Sequence, residues 1–188
     1  MKKLTLVLVL ILVLSGMSFG QKWLAGAYYK VSFPGGNTKS FIDKTSFMGG
    51  GVEVRRFMGE IWSLGVSVDY SYFKRDNAGE DGRETRTLKS LPVMATIHLY
   101  VQNNAAYMPF AGVRLGGFRI SRTSESPAGT VSNDKWYLGF IPEVGAIFPL
   151  GNSVNLIGSF QFNYAAAEGI NRDQAYYALT LGLSWGSR

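Results

Sequence analysis

Trp62 to Tyr72, WSLGVSVDYSY, decides the fold. Its even positions are Trp62, Leu64, Val66, Val68, Tyr70 and Tyr72; its odd positions are Ser63, Gly65, Ser67, Asp69 and Ser71. A strict period of two is a β-strand with one apolar and one polar face. A strand facing bulk water carries Lys, Glu and Thr on its wet side, whereas this one carries Ser and Gly, which fit inside a narrow closed barrel. An apolar face with aromatic ends, backed by a small polar face, is the pattern of a membrane-spanning β-barrel: lipid outside, a crowded polar lumen inside.

The N-terminus agrees. Lys2 and Lys3 precede Leu4 to Leu14, a run broken only by Thr5, and Ser18-Phe19-Gly20 offers small residues for cleavage before Gln21. The run is too short to cross a bilayer as a helix, so residues 1–20 read as a secretory signal peptide. Residues 21–188 then form one barrel domain. Without Cys there is neither a lipid-anchored cysteine nor a disulfide. No later apolar run is long enough for a membrane helix. Mean hydropathy near zero is what alternating strands give when their two faces average out. The net charge of +6 includes Lys2 and Lys3. It suits anionic headgroups, and no basic cluster interleaved with aromatics points to nucleic acid.

Eight strands are expected: Lys22 to Phe33, Phe47 to Met58, Trp62 to Lys74, Leu88 to Val101, Met108 to Arg122, Lys135 to Leu150, Val154 to Ala165 and Ala175 to Trp185. The class is all-β, an eight-stranded antiparallel transmembrane β-barrel in an up-and-down meander. Short turns (Gly59-Glu60-Ile61, Gln102 to Tyr107 with Asn103-Asn104, and Gly151-Asn152-Ser153) alternate with long polar connections at Pro34 to Ser46, Arg75 to Thr87, Thr123 to Asp134 and Ala166 to Gln174. Periplasmic turns and extracellular loops alternate in this way, which puts both ends of the barrel domain on the short-turn side. The Trp residues fall at strand ends, Trp23, Trp62 and Trp185 at one rim and Trp136 at the other with Phe33, Phe47, Tyr72 and Tyr164, as interfacial girdles require.

Alternation sends Glu53, Arg55, Asp69, Arg114 and Glu143 inward, with Asn155, Ser159, Gln161 and Asn163 lining strand seven. A loop centred near residue 128 brings Arg114 almost opposite Glu143. Eight strands enclose a space that side chains just fill, so these groups are expected to pair in a lumen network. Arg56 falls on the lipid face near the short-turn rim, where it either snorkels or marks a bulge.

Catalytic signals are weak. His98 is the one histidine and faces the lumen; Ser90 is a conceivable partner, yet nothing specific joins them. No metal site, cofactor or catalytic residue is expected. Gly49-Gly50-Gly51 and Gly116-Gly117 lie within strands and mark close packing rather than a phosphate loop. KRDNAGEDGRETR, Lys74 to Arg86, reads as a solvated hairpin tip. A functional reading gives it contact with lipopolysaccharide phosphates or a host surface through Lys74, Arg75, Arg83 and Arg86.

The last strand places Tyr177, Leu179, Leu181, Leu183 and Trp185 on one face and Ala178, Thr180, Gly182 and Ser184 on the other. Here the chain resembles the small eight-stranded outer-membrane barrels of the OmpA-barrel, OmpX and OmpW type. The terminal alternation ending in an aromatic looks like their insertion signal, although Gly186-Ser187-Arg188 follow it. The resemblance implies a monomer in the outer membrane of a double-membraned bacterium. Its implied partners are outer-membrane lipid, lipopolysaccharide and, through the C-terminal strand, the barrel-insertion machinery. The expected role is a non-enzymatic envelope protein. Alternatives are a narrow pore of porin type, a lipid-modifying enzyme and a soluble lipocalin-type barrel.

Overall fold

The alternation runs unbroken through a closed sheet. The computed structural model describes residues 22–79, 82–101, 106–127, 129–167 and 173–186. The signal-peptide segment 1–20, the Asn103-Asn104 turn and the side chain of Arg83 lie outside the described residues. The strands are β1 (Trp23–Gly35), β2 (Met48–Phe57), β3 (Trp62–Gly79), β4 (Gly82–Tyr100), β5 (Met108–Ser126), β6 (Gly129–Pro149), β7 (Val154–Ala166) and β8 (Gln174–Trp185), with a short helix α1 (Gly36–Phe41) after β1. Each strand pairs with the next, and β1 pairs antiparallel with β8 to close the barrel.

The registers carry no slip. Val54 lies opposite Val66 and Ala25, and Val66 opposite Ala95, so lipid-type positions stay in one outward row around the wall. Val52, Val66, Val93, Ile97, Leu115, Val144, Leu179 and Leu181 are all exposed outward. A continuous apolar belt of this kind is a liability in water and the required outer surface in lipid. It also corrects the lipocalin alternative, which needs the apolar face inside. Arg56 sits in register with Trp23 and Leu64, so no bulge occurs there. Its guanidinium lies 5.9 Å from the centre of the Trp23 ring at the short-turn rim.

Two long connections differ from expectation. Arg75 to Thr87 and Thr123 to Asp134 read as loops, yet their described residues continue the ladders of β3–β4 and β5–β6 up to Gly79↔Gly82 and Ser126↔Gly129. β4 and β5 stay paired there as far as Thr85↔Glu125. Backbone pairing does not need apolar side chains, so the ladder persists where hydropathic alternation has ended. The result is a four-stranded sheet that rises past the outer girdle. From Tyr72 to Gly79 the strand extends about 23 Å at roughly 3.3 Å per residue. The connection from Pro34 to Ser46 is also structured, containing the end of β1 and α1.

Candidate functional site

Inward positions come from even residues of β1, β4, β5 and β8 and odd residues of β2, β3, β6 and β7, as burial along each strand shows. They stack into three layers. Nearest the short turns lies an apolar cluster of Leu24, Phe57, Tyr100, Met108, Phe110, Ile147 and Ile157. Nearest the long hairpins lies a second, which includes Ile42, Phe73, Leu88, Phe118, Ile120, Tyr137, Ile141 and Tyr176. The lumen is therefore not polar throughout, as the Ser/Gly face of β3 suggested. The polar pattern of β3 is balanced by large apolar inward residues on β4, β5 and β6.

Between the clusters lies an ionic layer. The buried charged side chains among the described residues are Lys30, Arg55 and Arg114 against Glu53, Asp69 and Glu143, so cations and carboxylates balance. Glu143 is the hub. Its Oε2 accepts from Arg114 Nη2 at 2.6 Å, Gln161 Nε2 at 3.0 Å and Ser159 Oγ at 3.4 Å, and its Oε1 contacts His98 Nε2. Arg55 Nη2 lies 3.6 Å from Glu143 and donates to Glu53 Oε2 at 2.9 Å. Arg114 also reaches Glu53 at 3.2 Å and donates to the Tyr28 hydroxyl at 2.8 Å; that hydroxyl in turn donates to Asp69. Lys30 Nζ lies 3.6 Å from Asp69 and donates to Asn163 at 3.1 Å. Arg55 Nη1 donates to the Tyr100 hydroxyl at 3.3 Å, and that hydroxyl lies 2.9 Å from Ser63 Oγ. Gly51 and Gly112 leave the room this layer needs, because a Cβ at either would collide with Asp69 and Tyr28 or with His98.

The structure places all eight lumen residues read from the sequence inside and buried. Glu53, Arg55, Asp69, Arg114, Glu143 and Gln161 meet in this layer, and Asn163 joins through Lys30. Asn155 lies apart near the short turns, in register with Pro149 and Ser184. Arg114 and Glu143 are diagonal neighbours, since Gly112 faces Glu143 and Arg114 faces Ile141. Lys30, Tyr28 and Tyr100 were missed, whereas Ser63 stands on the polar face of β3 already read as inward. Lys30 was legible, because β1 alternates Trp23, Ala25, Ala27, Tyr29, Val31 and Phe33 against Leu24, Gly26, Tyr28, Lys30 and Ser32.

Ser90 is not a partner of His98. It lies about 26 Å along the same strand at roughly 3.3 Å per residue, and its hydroxyl sits 3.2 Å from that of Tyr176. Trp23, Trp62 and Trp185 stand at the short-turn rim, as their registers with Arg56, Leu99 and Ala25 show. Trp136, 62% exposed, stands toward the other end in register with Arg119. Lys74, Arg75 and Arg86 do not form one patch: Lys74 points outward, whereas Arg75 and Arg86 are directly opposed on the lumen-side face.

A closed eight-stranded antiparallel meander is the architecture of the small outer-membrane barrels. Solved structures of that class share it. Neisserial surface protein A superposes with a TM-score of 0.59 at 16% identity, over 88% of this chain and 96% of that one. The outer membrane protein OprG of Pseudomonas aeruginosa gives 0.59 at 13% identity, over 88% and 95%. Ail, the attachment invasion locus protein of Yersinia pestis, solved with the heparin analogue sucrose octasulfate, gives 0.57 at 14% identity, over 88% and 97%. No family model and no curated protein matches the chain. At these identities the likeness is one of fold.

Proposed function

We propose that this chain is a non-enzymatic, outer-membrane surface protein, exported by its N-terminal signal, whose closed barrel holds a protruding sheet as a docking edge. The observation that carries the reading is the upper part of β6. Residues 129 to 136 are exposed on both faces, and pairing of β6 with β7 begins only at Leu138↔Ala166. Among the described residues, no strand pairs with the outer edge of this segment. An uncovered edge strand templates an extended segment of another protein through main-chain hydrogen bonds, with side-chain contacts adding selectivity. Val131, 73% exposed, and Trp136 give it apolar anchors.

The lumen supports the closed state. Apolar clusters lie above and below the ionic layer, and apolar constrictions hinder the passage of ions. Purified protein in planar bilayers should show baseline conductance. Stepwise channel openings would overturn the closed reading and restore the pore. Docking is tested with cells that display the chain. Val131→Pro should abolish capture of an extended-strand partner while leaving barrel assembly unchanged, and undiminished capture would refute the edge.

A further inference from the structure

On the lumen-side face of the protruding sheet, three arginines from adjacent strands line up above the mouth. Arg75 on β3 lies directly opposite Arg86 on β4. On β5, Ser124 lies opposite Arg86, and Arg122 lies opposite Leu88. Arg122 is thus the diagonal neighbour of Arg86, about 7–8 Å away. Phe41, the last residue of α1, ties the row to the barrel mouth, since the Arg86 and Arg122 guanidinium carbons each lie 5.8 Å from its ring centre.

Like charges directly opposed in a sheet repel, so the row needs anions, and the protein supplies two. Asp43 lies 3.0 Å from Arg75 Nη1. Glu84 accepts from Arg86 Nε at 2.7 Å and Nη2 at 3.2 Å, and from Ser124 at 3.1 Å. Arg122 forms no ion pair with a carboxylate among the described residues. It is half-buried, and its Nε and Nη2 are sealed from solvent without a hydrogen-bond partner. Burial pushes its pKa down, opposed in part by Tyr137. Its remaining nitrogen, Nη1, is not sealed in this way, so an oxygen-rich anion at the open end of the barrel meets a guanidinium whose charge no carboxylate among the described residues offsets.

We propose that Arg122, with Arg86 and Phe41 beside it, forms a binding site for a tetrahedral oxyanion, a phosphate or sulfate group, arriving from the extracellular solution. Guanidinium forks match such groups in geometry as well as charge. The row faces the barrel axis above the mouth, so headgroups of the surrounding leaflet, which lie lateral to the wall, do not reach it. The ligand is a free ion or an ester on a soluble molecule. The site extends the proposed surface role but rests on the face that Arg122 occupies, not on the edge of β6.

The test uses the full barrel domain refolded in phosphatidylcholine nanodiscs. Sodium sulfate and inorganic phosphate are titrated at constant ionic strength against sodium chloride, with the Arg122 Nε–H resonance and the unfolding midpoint as readouts. Sulfate and phosphate should shift that resonance saturably and raise the midpoint. Arg122→Gln should weaken binding roughly tenfold or more and lose the midpoint rise. Arg119→Gln, which removes an outward arginine 2.7 Å from Asp134, should change neither. In chloride alone, Arg122→Gln should unfold no earlier than the parent, which a merely structural arginine would not allow. Binding of sulfate and phosphate no tighter than chloride, or unchanged in Arg122→Gln, would overturn the site. A shift of the resonance by phosphatidic acid in the same nanodisc would overturn the solution source. Neither failure touches the Val131→Pro test.

Discussion

Removing one carboxylate from the ionic layer is the sharpest test of the barrel's interior. With Lys30, Arg55 and Arg114 facing Glu53, Asp69 and Glu143, the layer is neutral. Glu143→Met leaves three cations against two carboxylates, and Arg114→Met leaves two against three. Each single change strands one buried charge, which destabilises by about 3–5 kcal/mol. Glu143→Met also strips the acceptor from Arg114, Gln161 and Ser159. In the double variant, Lys30 and Arg55 face Glu53 and Asp69, and neutrality returns. The double variant should therefore lose less stability than either single one, against roughly 6–10 kcal/mol if the losses were independent. Urea unfolding in lipid vesicles, followed by Trp fluorescence, measures all four proteins. Losses that add in the double variant would refute direct coupling. Conductance belongs beside stability: if the layer gates water, the single variants will conduct, and if it only fills the lumen, all four will stay closed.

Other outcomes follow from the wall and its connections. Val66, 63% exposed in the middle of the apolar belt, should tolerate Ala but lose about 2–4 kcal/mol as Val66→Arg in vesicles; equal folding of the two variants would reverse the assignment of faces. Single cysteines replacing Lys44 or Ser126 should react with an impermeant thiol reagent on intact cells, and those replacing Glu60 or Asn152 should not, whereas the opposite pattern would invert the barrel. Between β7 and β8, the Tyr164 hydroxyl at 2.6 Å and the Ala167 amide at 2.8 Å hold the Asp173 carboxyl below its usual range. A depressed carboxylate stabilises fully above its unfolded value of about 4 and loses that contribution as pH falls through its lowered one. The hydrogen-exchange protection of Ala167 should accordingly hold at pH 5 and fade below about pH 4, with no such step in Asp173→Asn; a step of equal size in that variant would assign it elsewhere.

Strand number, the face of each strand and the closed meander were legible in the sequence because a period of two is a local property. Each residue's side follows from its neighbours two places away, and lipid imposes a strong contrast between sides. That is why Glu53, Arg55, Asp69, Arg114 and Glu143 could be placed inside from alternation alone. Their partners could not, because pairing across the lumen depends on the register and curvature of all eight strands. Lys30 on β1 meets Asp69 on β3 and Asn163 on β7, contacts that no spacing along the chain encodes. The sheet above the rim was hidden for the opposite reason. Beyond the girdle both faces of a strand meet polar surroundings, hydropathic alternation ends, and only backbone pairing carries the ladder on to Gly79↔Gly82 and Ser126↔Gly129. Sequence thus determined which side chains face lipid and which face inward. Tertiary structure alone decided which inward charges neutralise one another, and left Arg122, among the described residues, without a carboxylate to pair with.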